Sequence, residues 1–175
     1  MTTGQKIIIG RTSVAGFPAD KITDVPVKID TGADSSSLWA SSISVDGDGA
    51  LHFVLLDKQS KHYTGKEHMT KKYEARRIRS SNGQAEIRYV VKLSIKLEGR
   101  IVLGTFTLSD RSLNTYPILI GCRLLKNKFL VDVAKGKVLP SVHSGMINLS
   151  EELQKDPLGF HEKYYLQDEQ RSTDL

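Results

Sequence analysis

Between Glu86 and Leu97 the chain alternates with unusual regularity. Ile87, Tyr89, Val91, Leu93, Ile95 and Leu97 are interleaved with Glu86, Arg88, Val90, Lys92, Ser94 and Lys96. At helical periodicity these apolar residues would scatter around the whole circumference, whereas at period two they share one face. The segment is therefore expected to be a long, half-buried strand, and such a strand needs partners on both sides. Ser80-Ser81-Asn82-Gly83 precedes it and Glu98-Gly99-Arg100 follows, so hairpins are expected at both ends.

The rest of the chain fits around that strand. Lys6–Gly10, Ile22–Asp30, Leu51–Leu56, Ile101–Leu108 and Phe129–Val133 read as further strands, with Leu51–Leu56 apolar enough to be covered on both faces. Asp46-Gly47-Asp48-Gly49 carries two Asp-Gly steps, which favour a hairpin because they supply positive φ at little steric cost. Pro117–Gly121 is an apolar run ending in glycine, and Cys122–Asn127 has room for one or two helical turns with Leu124 and Leu125 inward. Beyond Pro140 the strand signal fades. Ser150 is placed to cap a short helix over Glu151–Lys155, which Asp156-Pro157 would end. Many short strands and few helices indicate an all-β closed barrel or sandwich.

Length and composition narrow the choice. The 175 residues suffice for one main core without disulfide staples, and Cys122 is the sole cysteine, so neither an internal disulfide nor a multi-cysteine metal site is available. Residues 1–140 are expected to form the barrel domain, and residues 141–175 a C-terminal extension with a short helix. The first residues lack an apolar signal core and no run approaches membrane-spanning length. A soluble, cytoplasmic protein without a membrane partner is expected. The net charge of +5 is concentrated between Asp57 and Arg79. There Lys58, Lys61, Lys66, Lys71, Lys72, Arg76, Arg77 and Arg79 face only Asp57, Glu67 and Glu74. A solvated edge strand and loop explains this span; an anion-recognising surface is the other reading.

Chemistry is most naturally sought at Asp30. The strand Val25–Ile29 delivers it into Thr31-Gly32-Ala33-Asp34, an order that can hold a carboxylate outward at the mouth of a tight turn. The tripeptide alone is weak, since any given one arises by chance in roughly 2% of chains this long, and Asp near Gly is often only a turn.

The wider pattern is more specific. Ile29–Asp34 with Leu119-Ile120-Gly121 and Leu124-Leu125 resembles the retropepsin-like aspartic proteases. More closely, the chain is similar to the bacterial group known as ATP-dependent zinc proteases, whose members often neighbour an ATP-grasp glutamate ligase. The ordered features are Ile29–Ala33 with Ser36-Ser37-Leu38, Arg79–Gly83, Arg88–Val91, Thr107–Arg111, Tyr116–Gly121 and Phe129–Asp132.

That resemblance implies an all-β acid-protease barrel in which Asp30 is the catalytic residue. Peptide hydrolysis by carboxylates uses two of them sharing one proton, one as base on water and the other as acid toward the amide. The chain holds a single Asp-Thr-Gly, so the resemblance implies a homodimer in which Asp30 of each subunit meets at a two-fold axis. Thr31 and Gly32 would support the dyad. Ala33 and Asp34 would touch substrate, as would Ser81, Asn82 and Gly83 at the tip of a flap-like hairpin.

The chain also departs from the pattern. Retropepsins usually place Arg directly after the second-motif glycine, paired to an acid where Asp34 stands; here Cys122 takes that place and Arg123 follows. Cys122 is expected to be a small buried packing residue and Trp39 a core or interface residue. The group's name mentions zinc and ATP, but there is no His-Glu-x-x-His and no Gly-x-x-x-x-Gly-Lys. His52, His62, His68, His143 and His161 show no ligand spacing, and His62 and His68 are expected to be solvated. No cofactor and no metal are expected.

The favoured reading is a dimeric aspartic peptidase acting on a peptide or protein substrate, with the basic span suiting an acidic peptide. A non-catalytic peptide-binding module on the same fold is the first rival. A basic barrel that binds nucleic acid is the second, and it is the weaker because only Tyr63 and Tyr73 interleave the basic span.

Overall fold

The computed structural model describes residues 5–79, 85–139 and 149–166. They fall into two units, 1–139 and 140–175. In the first unit the strands are β1 (Ile7–Gly10), β2 (Thr12–Phe17), β3 (Ile22–Asp30), β4 (Ser36–Val45), β5 (Leu51–Leu55), β6 (Glu67–Thr70), β7 (Glu74–Arg79), β8 (Ala85–Leu97), β9 (Arg100–Ser109), β10 (Ile118–Gly121) and β11 (Phe129–Asp132). One helical turn, α1 (Cys122–Leu125), joins β10 to β11.

The alternating segment is β8, and it pairs antiparallel with β9 along the whole hairpin from Val90↔Thr107 to Leu97↔Arg100. Glu98 and Gly99 both have positive φ, as a two-residue type I′ turn requires. The sheet then runs β10-β3-β2-β8-β9-β4, and a pairing of β4 with β10 closes the ring into a six-stranded barrel. Closure depends on two parallel contacts, β3 with β10 and β4 with β9. β5 and β6 extend the sheet from β4. A separate parallel pair, β1 with β11, joins early and late parts of the unit.

The inward residues follow the period-two rule. Val91, Ile95 and Leu97 from β8 meet Val25, Val27 and Ile29 from β3, Leu38 from β4, and Phe106 and Leu108 from β9. Phe17, Phe53 and Phe106 are almost wholly enclosed. Burial of each such side chain is worth about 1.5–3 kcal/mol.

One end of β8 departs from its own pattern. Ile87 lies on the apolar phase yet is 67% exposed, whereas Val90, from the polar phase, is only 3% exposed. Up to Val90, β8 pairs with β7 instead of with β9. The strand there has left the barrel as a two-stranded ribbon, so no core lies beneath Ile87.

The expected hairpin at Asp46–Gly49 forms. Asp46 Oδ1 accepts from the backbone N–H of Asp48 and Ala50, at 3.0 and 2.8 Å, and Gly49 takes the positive φ. Ser35–Ser42, which reads as polar around Leu38 and Trp39, contains five consecutive buried strand residues, Ser36 to Ala40.

The second unit contains α2 (Leu149–Lys155) and α3 (Pro157–His161), with a π-helical turn at Glu162–Leu166. Ser150 lies inside α2 and is not its cap. Asp156-Pro157 does not merely stop a helix: the Asp156 carboxylate accepts from Gly159 N–H at 3.0 Å and Pro157 occupies the first turn, so the pair starts α3.

Candidate functional site

Asp30 is the last residue of β3 and lies level with Gly121, the last residue of β10, in the parallel register of those strands. Directly after it the chain turns, with Ala33 N–H donating to Asp30 carbonyl at 3.3 Å. The Asp30 carboxylate is half-buried, and its Oδ1 accepts from Gly32 N–H at 3.0 Å. That bond orients the carboxylate through the backbone, and the other oxygen is left for an incoming group. Thr31, Gly32 and Asp34 are exposed, and Ala33 is half-buried. Asp30–Asp34 thus forms one contiguous rim around the carboxylate.

The loop is held from the far end of the sequence. Cys122 N–H donates to Ala33 carbonyl at 2.8 Å and Arg123 N–H to Asp34 carbonyl at 3.1 Å. Gly121 N–H donates to Ser36 Oγ at 3.1 Å. A Cβ on Gly121 would stand 2.6 Å from Ser35 carbonyl oxygen and 2.7 Å from that of Ala33, so the second glycine is required for backbone to lie on backbone. Ser36 was not singled out as a supporting residue from sequence. The signal available for it was its offset from the Asp-Thr-Gly, inside the run Ser35-Ser36-Ser37.

One expectation needs correction here. Cys122 is not a buried packing residue; it is partly exposed and its thiol contacts Thr31 carbonyl at 3.0 Å. α1 is too short to bury its first position, and only Leu124 and Leu125 turn inward. The Arg123–Asp34 pair exists by a shifted route, but as a loose contact of 3.8 Å between exposed side chains. A pair that open contributes little.

Beside the loop lies a small cavity of about 130 Å³, lined by Ser35, Arg76, Thr105, Arg123 and Leu124 among others. β7 brings Arg76 to it from the ribbon, and α1 brings Arg123. The sheet next to the loop is rich in hydroxyls: Ser37 Oγ and Ser109 Oγ are 3.0 Å apart, and Thr107 Oγ1 donates to Ser36 carbonyl at 3.3 Å. The β7–β8 ribbon has the pairing of a flap stem. Its expected substrate-touching residues Ser81, Asn82 and Gly83 lie outside the described residues.

Away from this end, His62 and His68 are half-buried, so neither is simply solvated. The His68 ring stacks on Phe53 at 5.0 Å between centroids and its Nε2 stands 3.0 Å from Oδ1 of Asp20. Lys66 reaches the same oxygen at 3.0 Å. Asp20 is buried, and Lys66 and His68 of the basic span both reach its carboxylate.

Residues 8–141 match the family model RimB-like, described as retropepsin-like aspartic endopeptidase RimB. A probable alpha-L-glutamate ligase of Shewanella pealeana is 33% identical over 130 residues, covering 73% of this chain and 28% of that protein. A protein of the same name from Desulfotalea psychrophila is 26% identical over 132 residues, again covering 28% of its own length. The chain thus spans little more than a quarter of the curated relatives it matches. Among solved structures, Legionella pneumophila Lpg0085, titled a protein of unknown function, aligns with a TM-score of 0.55 at 26% identity, over 75% of this chain and 96% of that one. Among the described residues no helix is long and apolar enough to cross a membrane.

Proposed function

The chain belongs to the RimB-like family of retropepsin-like aspartic endopeptidases, and from that premise we propose that it hydrolyses peptide bonds as a homodimer, with Asp30 of each subunit forming the catalytic pair. The observation that carries this reading is the outward Asp30 carboxylate, oriented by Gly32 N–H and backed by the Gly121 crossing. A single Asp-Thr-Gly supplies half of a dyad, and a second copy is the economical source of the other half.

In the reaction, one carboxylate takes a proton from a water held between the two. The resulting oxygen nucleophile attacks the scissile carbonyl carbon, and the second carboxyl group passes its proton to the substrate. The carboxyl group that took the water proton passes it to the amide nitrogen, and collapse of the tetrahedral adduct breaks the C–N bond while the proton on the substrate oxygen returns to the other carboxylate. Thr31 at the rim bonds across the interface, and Gly32 lets the backbone approach. Ala33 and Asp34 hold the substrate main chain, and the β7–β8 ribbon covers it.

An acidic peptide is the substrate class that best suits the chain, and a cytoplasmic setting suits it too. Three of the basic residues, Arg76, Arg77 and Arg79, belong to β7 of the ribbon, and the glutamate ligases contain a stretch similar to this chain. A glutamate-rich segment of the sort such ligases make is the natural first substrate to try. The test is Asp30→Asn in the purified protein, with cleavage followed by mass spectrometry and oligomeric state by sedimentation. Cleavage should vanish while the dimer persists. Unchanged cleavage, or a monomer with full activity, would sink the reading. A peptide-binding module without catalysis would hold the peptide equally well in both forms and cut it in neither.

A further inference from the structure

The β7–β8 ribbon places Arg76 and Arg88 directly opposite each other. Cross-strand partners share a face, and like charges in that position repel. Each guanidinium is only partly satisfied. Arg76 uses one terminal nitrogen on Glu74, and Arg88 uses one on Glu86, both at 2.8 Å. Both bonds run along the side chains' own strands. Arg88 Nε is buried and has no acceptor among the described residues.

A third guanidinium adds to the excess. Arg111 donates through Nε to Tyr116 carbonyl at 3.0 Å, and burial followed by the charge of Arg88 lowers its pKa. A fourth, Arg123, lines the small cavity together with Arg76. Its contact with Asp34 is loose and exposed. Four guanidiniums set against three carboxylates, Glu74, Glu86 and Asp34, leave a net positive charge beside a cavity that Arg76 and Arg123 line. The cavity floor offers the hydroxyl-bearing Ser35 and Thr105, and Ser35 belongs to the loop that starts at Asp30.

We propose that the cavity between Arg76 and Arg123 is a side-chain subsite that receives a substrate carboxylate next to the scissile bond, with Arg88 behind Arg76 as the second row of positive charge. This rests on the peptidase reading and names the residues that select its substrate. The pocket is narrow, about 130 Å³, which suits one carboxylate-bearing side chain and excludes a nucleobase. The Arg76 guanidinium, which already holds Glu74 through one nitrogen, would pair with that carboxylate through its other donors. A glutamine at the same place would leave one of them facing its amide N–H group.

The experiment compares two peptides that differ only by Glu against Gln at a single position, in wild type, Arg76→Gln and Arg123→Gln. On the glutamate peptide each variant should lose at least roughly ten-fold more kcat/KM than on the glutamine peptide, a difference of about 1.4 kcal/mol. Equal losses on both peptides, or no loss, would overturn the subsite. Binding is measured separately by fluorescence anisotropy of a glutamate-rich peptide on the Asp30→Asn protein, with and without Arg76→Gln. Binding that weakens with Arg76→Gln supports the subsite even where no cleavage is found, so the two readings fail independently. Cleavage that depends on Asp30 but ignores Glu against Gln retains the peptidase and removes the subsite. Preference of this face for a single-stranded RNA oligonucleotide over the glutamate peptide also overturns it.

Discussion

Gly121→Ala tests whether the Asp30 loop is built by backbone-on-backbone packing. The new Cβ would fall 2.6 Å from Ser35 carbonyl oxygen and 2.7 Å from Ala33 carbonyl oxygen and Ser35 carbonyl carbon. These are backbone atoms, so no side-chain rotation relieves the clash. Either Ala33–Ser35 or β10 must retreat by roughly 0.5–1 Å to restore van der Waals separation. Overpacking of this kind costs about 1–3 kcal/mol. For a chain of this size that lowers the melting temperature by roughly 2–4 °C per kcal/mol. The displacement also strains the bonds from Cys122 and Arg123 N–H to Ala33 and Asp34 carbonyls, and these hold the rim beside Asp30. Misplacement of about 1 Å at a reacting group can cost about 100-fold in rate. Activity should therefore fall by much more than stability when both are measured at a temperature where the variant is folded. Urea unfolding gives the stability and peptide cleavage the rate. An unfolding midpoint and a rate both equal to wild type would refute the packing account, whatever the substrate.

Two further outcomes are expected. His52 is gripped by Asp46 at 2.9 Å and Glu67 at 3.2 Å, and the bond to Asp46 first, with that to Glu67, raises its pKa above the ordinary 6.5 despite desolvation. A raised folded value means that its stabilisation is complete below about pH 6.5 and is lost as pH rises through the folded pKa. His52→Gln should therefore lower the melting temperature more at pH 5.5 than at pH 8.5, and a histidine NMR titration at or below 6.5 would contradict this. At Asp20, removing both Lys66 and His68 strands a buried carboxylate, whereas Asp20→Asn leaves Lys66 half-exposed and able to hydrate. The double variant Lys66→Ala/His68→Ala should cost more in urea unfolding than Asp20→Asn, by about 1–3 kcal/mol, and the reverse order would show that the carboxylate is not held by those cations.

Much of this molecule can be read along the chain because local rules decide it. The period of two in β8, the Asp-Gly hairpin at Asp46–Gly49 and the delivery of Asp30 by β3 depend only on neighbours a few residues away. The family resemblance lay in the ordered short motifs. Local rules failed where the environment is set by distant chain. Ile87 keeps the apolar phase of β8, yet nothing in that phase says the strand leaves the barrel before reaching it. His68 sits in a basic loop, and only the fold puts Phe53 and Asp20 against its ring.

The sequence by itself determined that an Asp-Thr-Gly would stand at the end of a strand in an all-β chain, because alternation and turn chemistry are local. The tertiary structure alone decided what surrounds it. Parallel pairing of β3 with β10 sets Gly121 level with Asp30, and ribbon pairing sets Arg76 opposite Arg88. Parallel contacts join segments far apart in the chain, and no periodicity encodes their register. The arginine-lined cavity arises the same way, from β7 and α1 meeting beside one loop.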